Sequence, residues 1–184
     1  GSRHVVEGEA GEKAGNLAKA REAYLSGWRY HGFGAWPTQN SPEKKTAHAR
    51  ATEAFRAYAR IADPPIEVLR IPFEGKEITA YLQRPPGVTR PPVVLSVGGL
   101  DSYKEFVVEQ YGPGYLKAGL AYVALDMPGT GENPVLYGDP AAERTLTTWL
   151  DYLPTRADVD GGCVGVGQQQ RNRHYSFLQK RLLL

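Results

Sequence analysis

Pro92-Val-Val-Leu-Ser-Val-Gly-Gly-Leu100 is the stretch whose reading decides the fold. Val93 to Val97 form a short β-branched apolar run, the mark of a strand buried on both faces. Two glycines follow at once, so the chain leaves the strand through a loop whose backbone can approach a ligand closely. The pattern recurs in Ala121-Tyr-Val-Ala-Leu-Asp-Met-Pro-Gly-Thr-Gly-Glu132, where a buried strand over Leu120 to Leu125 runs into a glycine- and proline-fixed loop. Gly162-Cys-Val-Gly-Val166 reads as a third strand. Between them, Glu105 to Ala118 reads as helix interrupted near Gly112-Pro113-Gly114. Ala141 to Leu153 reads as helix with Leu146, Trp149, Leu150 and Leu153 on one face. Strand, helix, strand, helix, strand at this spacing predicts a parallel α/β sheet with right-handed crossovers.

Upstream the character changes. Ile66 to Pro72 and Lys76 to Arg84 alternate around Glu74-Gly75, a hairpin signal. Residues 7 to 35 read as one helix, with Leu17, Ala20, Tyr24 and Trp28 on a face, weakened at its start by Gly8, Gly11 and Gly15. Ser41-Pro42-Glu43 begins a second helix: Ser caps, Pro suits the first helical position, and Glu meets the positive helix end. That helix runs to about Ile61 with Ala51, Ala54, Phe55, Tyr58 and Ile61 as its apolar stripe, and Asp63-Pro64-Pro65 stops it. The expected organisation is a helical segment over 1–62, a sheet core over 63–167 and a divergent tail over 168–184.

Composition narrows the function classes. The chain has 184 residues, 41% of them apolar, 23% charged, and a net charge of +2. That is enough for a core, and no basic face exists before the tail residues Arg171, Arg173, Lys180 and Arg181, so nucleic acid is not an expected partner. No apolar run approaches the ~20 residues that span a bilayer, so no membrane is expected either. One cysteine and no visible secretory pattern point to the cytoplasm. Gly1-Ser2 resembles a cloning scar, so the natural start is expected to lie elsewhere. No metal-ligating cluster or cofactor fingerprint stands out: the glycines after Asp126 lack the full dinucleotide pattern, and no phosphate-loop motif occurs.

Two loops carry the chemistry. Gly98-Gly99-Leu100 can aim backbone N–H groups at a developing negative charge, as an oxyanion hole requires; the same dipeptide also suits a plain tight turn. Asp126 lies at the carboxyl end of the sheet, where ligands of open α/β folds bind, and its structural reading is a side chain bonded to its own loop amides. Ser102 reads as a loop-capping hydroxyl beside the oxyanion candidates, His31 as a packed helix side chain, and Cys163 as a small buried hydrophobe.

Taken in order, residues 20 to 167 resemble the α/β-hydrolases of the group containing the FrsA-like esterases and dihydroxypseudooxynicotine hydrolase. The carriers are Trp28-Arg-Tyr-His31, Ile71-Pro-Phe-Glu-Gly75, Tyr81-Leu82, Arg84-Pro-Pro-Gly87, Pro92 to Ser102, Lys104-Glu105, Asp126 to Glu132, Leu150 to Leu153 and Val159-Asp160. The resemblance implies a partial α/β-hydrolase parallel sheet with an N-terminal helical cap. It implies a Ser–His–acid mechanism on an ester or ketone-type small molecule, with no cofactor. It places backbone oxyanion donors around Gly99 and Leu100. It also places Trp28, Tyr30, His31, Phe33 and Ser102 near the substrate cleft.

The chain departs from that pattern after Gly167. A nucleophile elbow needs Gly-x-Ser-x-Gly, and Gln168-Gln-Gln-Arg171 stand there instead, with no Ser or Cys from 164 to 175. His174 and Ser176 lie two apart without an orienting acid and make no triad. Consecutive CAG codons read one nucleotide later give serine, so a frameshifted or truncated hydrolase is the expectation. The leading reading is a family member whose chain is weak or inactive by itself. The alternative is a non-catalytic binding or assembly module that pairs with itself, or with a C-terminal half, through an open sheet edge, Leu182-Leu-Leu184 contributing. A nucleotide-binding domain is a third, weaker reading.

Overall fold

The structure is a computed structural model that describes residues 1–168, with side chains described through residue 161. The expectations for the tail, including His174, Ser176 and Leu182 to Leu184, and for the Cys163 side chain lie outside the described residues. The chain divides into two compact units, one over Gly1–Val68 and one from Leu69 onward.

The first unit is helical. One helix was expected over 7–35, but the structure has two: α1 (Ser2–Lys13) and α2 (Leu17–Ala35). The break falls at Gly15, in the left-handed region at φ 71°, followed by Asn16, whose side chain accepts from the Lys19 amide at 3.1 Å. Gly8 and Gly11 are therefore not mere weak points. A Cβ on Gly8 would strike the Tyr24 ring, and one on Gly11 would press on the Ala20 backbone, so both glycines let α1 lie close against α2. α3 (Pro42–Ile61) starts as its sequence demands, with Ser41 Oγ accepting from the Lys44 amide at 3.3 Å. Ala51, Ala54 and Phe55 of its stripe are buried, and Phe55 meets Trp28 edge-on at 5.3 Å. Glu12 ties the three helices together, accepting from Tyr24 Oη at 2.6 Å and from both Arg60 guanidinium nitrogens at 2.9 and 2.8 Å. Burial, then that bond to Glu12, pushes the Tyr24 hydroxyl up to about 12.

The sheet has five strands in the order β1-β2-β4-β3-β5: β1 (Ile66–Phe73), β2 (Lys76–Gln83), β3 (Pro92–Val97), β4 (Ala121–Leu125) and β5 (Asp160–Gln168). β4, β3 and β5 run parallel, as the spacing predicts, while β2 lies antiparallel to β4, so the whole sheet is mixed. The β1–β2 turn has Glu74 at φ 47° and Gly75 at φ 75°, the left-handed pair of a two-residue hairpin. Side chains alternate with period two. Ile78, Ala80, Leu82, Val93, Leu95, Val97, Ala121, Val123 and Leu125 join Trp149 and Leu153 in one apolar cluster on the face covered by α6 (Ala142–Tyr152). The opposite face is more polar. Tyr81, Gln83, Ser96 and Tyr122 look toward α4 (Lys104–Gln110) and α5 (Gly112–Lys117), with Tyr122 Oη donating to Gln83 Oε1 at 2.5 Å and Ser96 Oγ 3.4 Å from Tyr115 Oη.

Gly8 offers a test in which two effects oppose each other. Gly8→Ala gains about 1 kcal/mol of helix propensity but forces a methyl onto a ring that is only 1% exposed, an overpacking cost of about 1–3 kcal/mol. The net expectation is a lower urea midpoint followed by far-UV circular dichroism.

Candidate active site

The two loops meet at the carboxyl ends of adjacent parallel strands. Gly98 leaves β3 with its amide bonded to the Leu125 carbonyl at 2.9 Å, which extends the ladder one residue beyond the strand. The Gly99 amide donates to Ser102 Oγ at 2.8 Å, so Ser102 caps this loop. A Cβ on Gly98 would collide with the Ser102 carbonyl, which is why the first glycine is required. The Leu100 side chain is exposed.

Asp126 does bond its own loop, accepting from the Glu132 amide at 2.9 Å, but it does more than that. Its Oδ1 accepts from the Lys104 amide at 2.8 Å and its Oδ2 from the Lys104 ammonium at 2.7 Å. Lys104 follows the first loop and Asp126 opens the second, so one carboxylate holds both. Gly131, at φ 54°, comes so near the Asp126 carboxylate that no Cβ fits. The Lys104 side chain is wholly buried and also meets Glu132 at 2.8 Å and Glu105 at 3.2 Å. Tyr81 Oη donates to Glu105 Oε1 at 3.0 Å, and the ammonium sits 5.3 Å from the Tyr81 ring centre. Burial alone would lower the Lys104 ammonium, yet the neighbouring acids, Asp126 foremost, hold it well above its ordinary range. Burial also raises the Glu105 carboxyl and, with Glu105 beside it, the Tyr81 hydroxyl.

Sequence reasoning placed Lys104, Glu105 and Tyr81 only among the residues that carry the resemblance and missed their cluster. A Lys-Glu pair opening a helix reads as a solvated end; the available signal was Asp126 directly after a fully buried strand, an acid in need of a buried partner. Among the described residues no group of three or more His, Cys, Asp or Glu is arranged to hold a metal ion. The Lys104 ammonium already occupies the point where three carboxylates converge.

The expected cleft residues of the helical unit are placed within that unit. Trp28 is buried against Phe55. Tyr30 is exposed and stacks on His4 at 5.1 Å, and Phe33 is 81% exposed. His31 lies 3.5 Å from Ser2 Oγ, and partial burial holds its imidazole below the ordinary range. No helix among the described residues is long and apolar enough to cross a membrane.

A profile of proteins described as esterase FrsA-like matches residues 5–136, a span that includes both loops. The chain belongs to the FrsA-like esterase family. It is 32% identical over 142 residues to Hydrolase ORFZ of Pyricularia oryzae, covering 70% of this chain and 33% of that protein. It is also 32% identical over 139 residues to 2,6-dihydropseudooxynicotine hydrolase of Paenarthrobacter nicotinovorans, covering 73% and 36%. The crystal structure of 2,6-dihydroxy-pseudo-oxynicotine hydrolase shares the fold with a TM-score of 0.80 at 23% identity over 91% of this chain and 48% of that one. AbyA5 matches with a TM-score of 0.63 at 28% identity over 90% and 44%. The FrsA-like chain thus spans about a third of the length of the curated relatives it matches.

The Asp126–Lys104 contact is directly testable. Asp126→Asn keeps the shape but turns a donor toward either the Lys104 ammonium and the Glu132 amide or the Lys104 amide, and it removes the best counter-charge of a buried cation. A loss of about 3–5 kcal/mol is expected, read as the fall in free energy of urea unfolding.

Proposed function

We propose that this FrsA-like chain carries the oxyanion side of an α/β-hydrolase site acting on an ester or ketone-type small molecule. In the proposed mechanism a serine attacks the carbonyl, a histidine relays the proton, and amides at Gly99 and Leu100 stabilise the developing negative charge. The observation that supports this best is the Gly99 amide, held at the end of β3 by Ser102 Oγ in a loop that a buried ion pair joins to the next one. Ser102 Oγ holds that N–H until a substrate oxygen takes its place. Trp28, Tyr30, His31 and Phe33 are proposed to contribute to the substrate cleft.

No Gly-x-Ser-x-Gly occurs anywhere in the 184 residues. The polypeptide of this sequence is therefore proposed to be weak or inactive by itself. Missing triad members typically cost several orders of magnitude, so hydrolysis of p-nitrophenyl acetate at least about a thousandfold slower than by an active esterase is expected. Turnover comparable with an active esterase would refute this.

A second reading, a binding or assembly module, is favoured by the strand order. Among the described residues β5 ends the sheet and pairs with β3 on one side. An unpaired edge is a template for another strand, and a second copy or a C-terminal half of the same fold would supply one. Light scattering on the purified chain is expected to give a dimer mass; a monodisperse monomer overturns self-pairing.

A further inference from the structure

We propose that Glu105 is a neutral, protonated carboxylic acid at neutral pH, and that its ionisation at higher pH releases the two site loops. Three carboxylates converge on one ammonium: Asp126 at 2.7 Å, Glu132 at 2.8 Å and Glu105 at 3.2 Å from Lys104 Nζ. If all three were ionised, the cluster would carry two uncompensated negative charges around a side chain with no solvent exposure. Like charges sharing a buried site do not all ionise; one of them keeps its proton.

The geometry chooses which. Asp126 accepts from two backbone amides and makes the closest approach to the ammonium, so every hydrogen bond to its carboxylate comes from a donor. The Glu132 side chain is 26% exposed, although the oxygen that meets Lys104 is itself buried, and it stands closer to the ammonium than Glu105 does. Glu105 is 1% exposed and stands farthest from the ammonium. Its Oε1 accepts from the Tyr81 hydroxyl, as the carbonyl oxygen of a neutral acid can, and its Oε2 is buried with no hydrogen-bond partner among the described residues. An oxygen carrying part of a negative charge there costs far more than a neutral hydroxyl. The groups facing Glu105 are Lys104 beside it on α4, Tyr81 from β2, Asp126 from the end of β4 and Glu132 from the following loop. The raised Glu105 carboxyl, caused first by burial, agrees with this placement.

Losing the proton would set a third charge against Asp126 and Glu132 in competition for Lys104, whose amide and ammonium hold loop 98–103 to loop 126–135. That these loops form a hydrolase site rests on the function proposed above; the protonation does not.

The sign follows from linkage. An acid whose folded pKa lies above its unfolded value contributes stability that is full below the unfolded pKa and is lost as pH rises through the folded one. Glu105→Gln, a neutral isostere, removes that dependence. The ratio of folding constants, variant over wild type, is expected to rise about tenfold per pH unit between the two pKa values. A flat ratio, or a variant less stable than wild type above neutral pH, overturns the protonation. Should the variant not fold, carbon-13 NMR of the wild-type carboxyls reads the state directly: one glutamate keeping its protonated shift at neutral pH supports the proposal, and none doing so overturns it. In wild type, amide exchange over 98–103 and 126–135, corrected for the intrinsic rate, is expected to accelerate with the same titration while β4 stays protected. Unchanged loop protection would overturn the release. The ester assay and this titration fail independently of one another.

Discussion

A lysine with no solvent exposure organises the carboxyl end of the parallel strands. Removing an ammonium from water costs several kcal/mol even after relaxation, and the cost is recovered only by close, well-directed partners. Lys104 finds them at the start of a neighbouring loop, in Asp126, and at its far side, in Glu132. Neither loop satisfies its own charge. Loop 98–103 delivers the cation and loop 126–135 the anions, so the conformation of each is defined by the presence of the other. The remaining contacts fit around this: Gly131 has no room for a side chain because Asp126 leans on it, and Glu105 is left with the poorest share of the charge.

This explains what was legible in the sequence and what was not. Elements stabilised by their own pattern could be read: the buried runs of β3 and β4, the Ser41-Pro42 helix start, the left-handed turn at Glu74-Gly75. Each depends on residues within a few positions of one another. The split between α1 and α2 was harder, because Gly8 and Gly11 weaken a helix in isolation and earn their place only through contact with Tyr24 and Ala20. The ionic cluster was hardest. Lys104 and Asp126 are 22 apart in sequence and Tyr81 and Glu105 are 24 apart, and no local periodicity signals either pairing. Only the oddity of an acid after a strand buried along its whole length pointed to it.

The two faces of the sheet divide the labour. The α6 face is aliphatic and aromatic and supplies burial energy without direction. The α4 and α5 face carries Tyr81, Gln83, Ser96 and Tyr122, whose hydrogen bonds are directional and fix the sheet against those helices. Since α4 begins with Lys104, the polar face and the ionic cluster are continuous, and the helix that follows the Gly98-Gly99 loop is anchored at its first residue.

That continuity bears on the charge-stabilising role proposed for the Gly98-Gly99 loop. Donors aimed at a developing oxyanion help most when they are fixed before the charge appears, because no reorganisation is then needed during the reaction. A solvated glycine loop would not meet that condition. Here the Gly98 amide is committed to the ladder, the Gly99 amide to Ser102 Oγ, and the residue that ends the loop to a buried carboxylate. The loop that holds the two glycines is thereby tied at its end to an ion pair. Both loops fall inside residues 5–136, the span that carries the family match. The two loops and the ion pair that joins them thus form one folding unit on this stretch of chain.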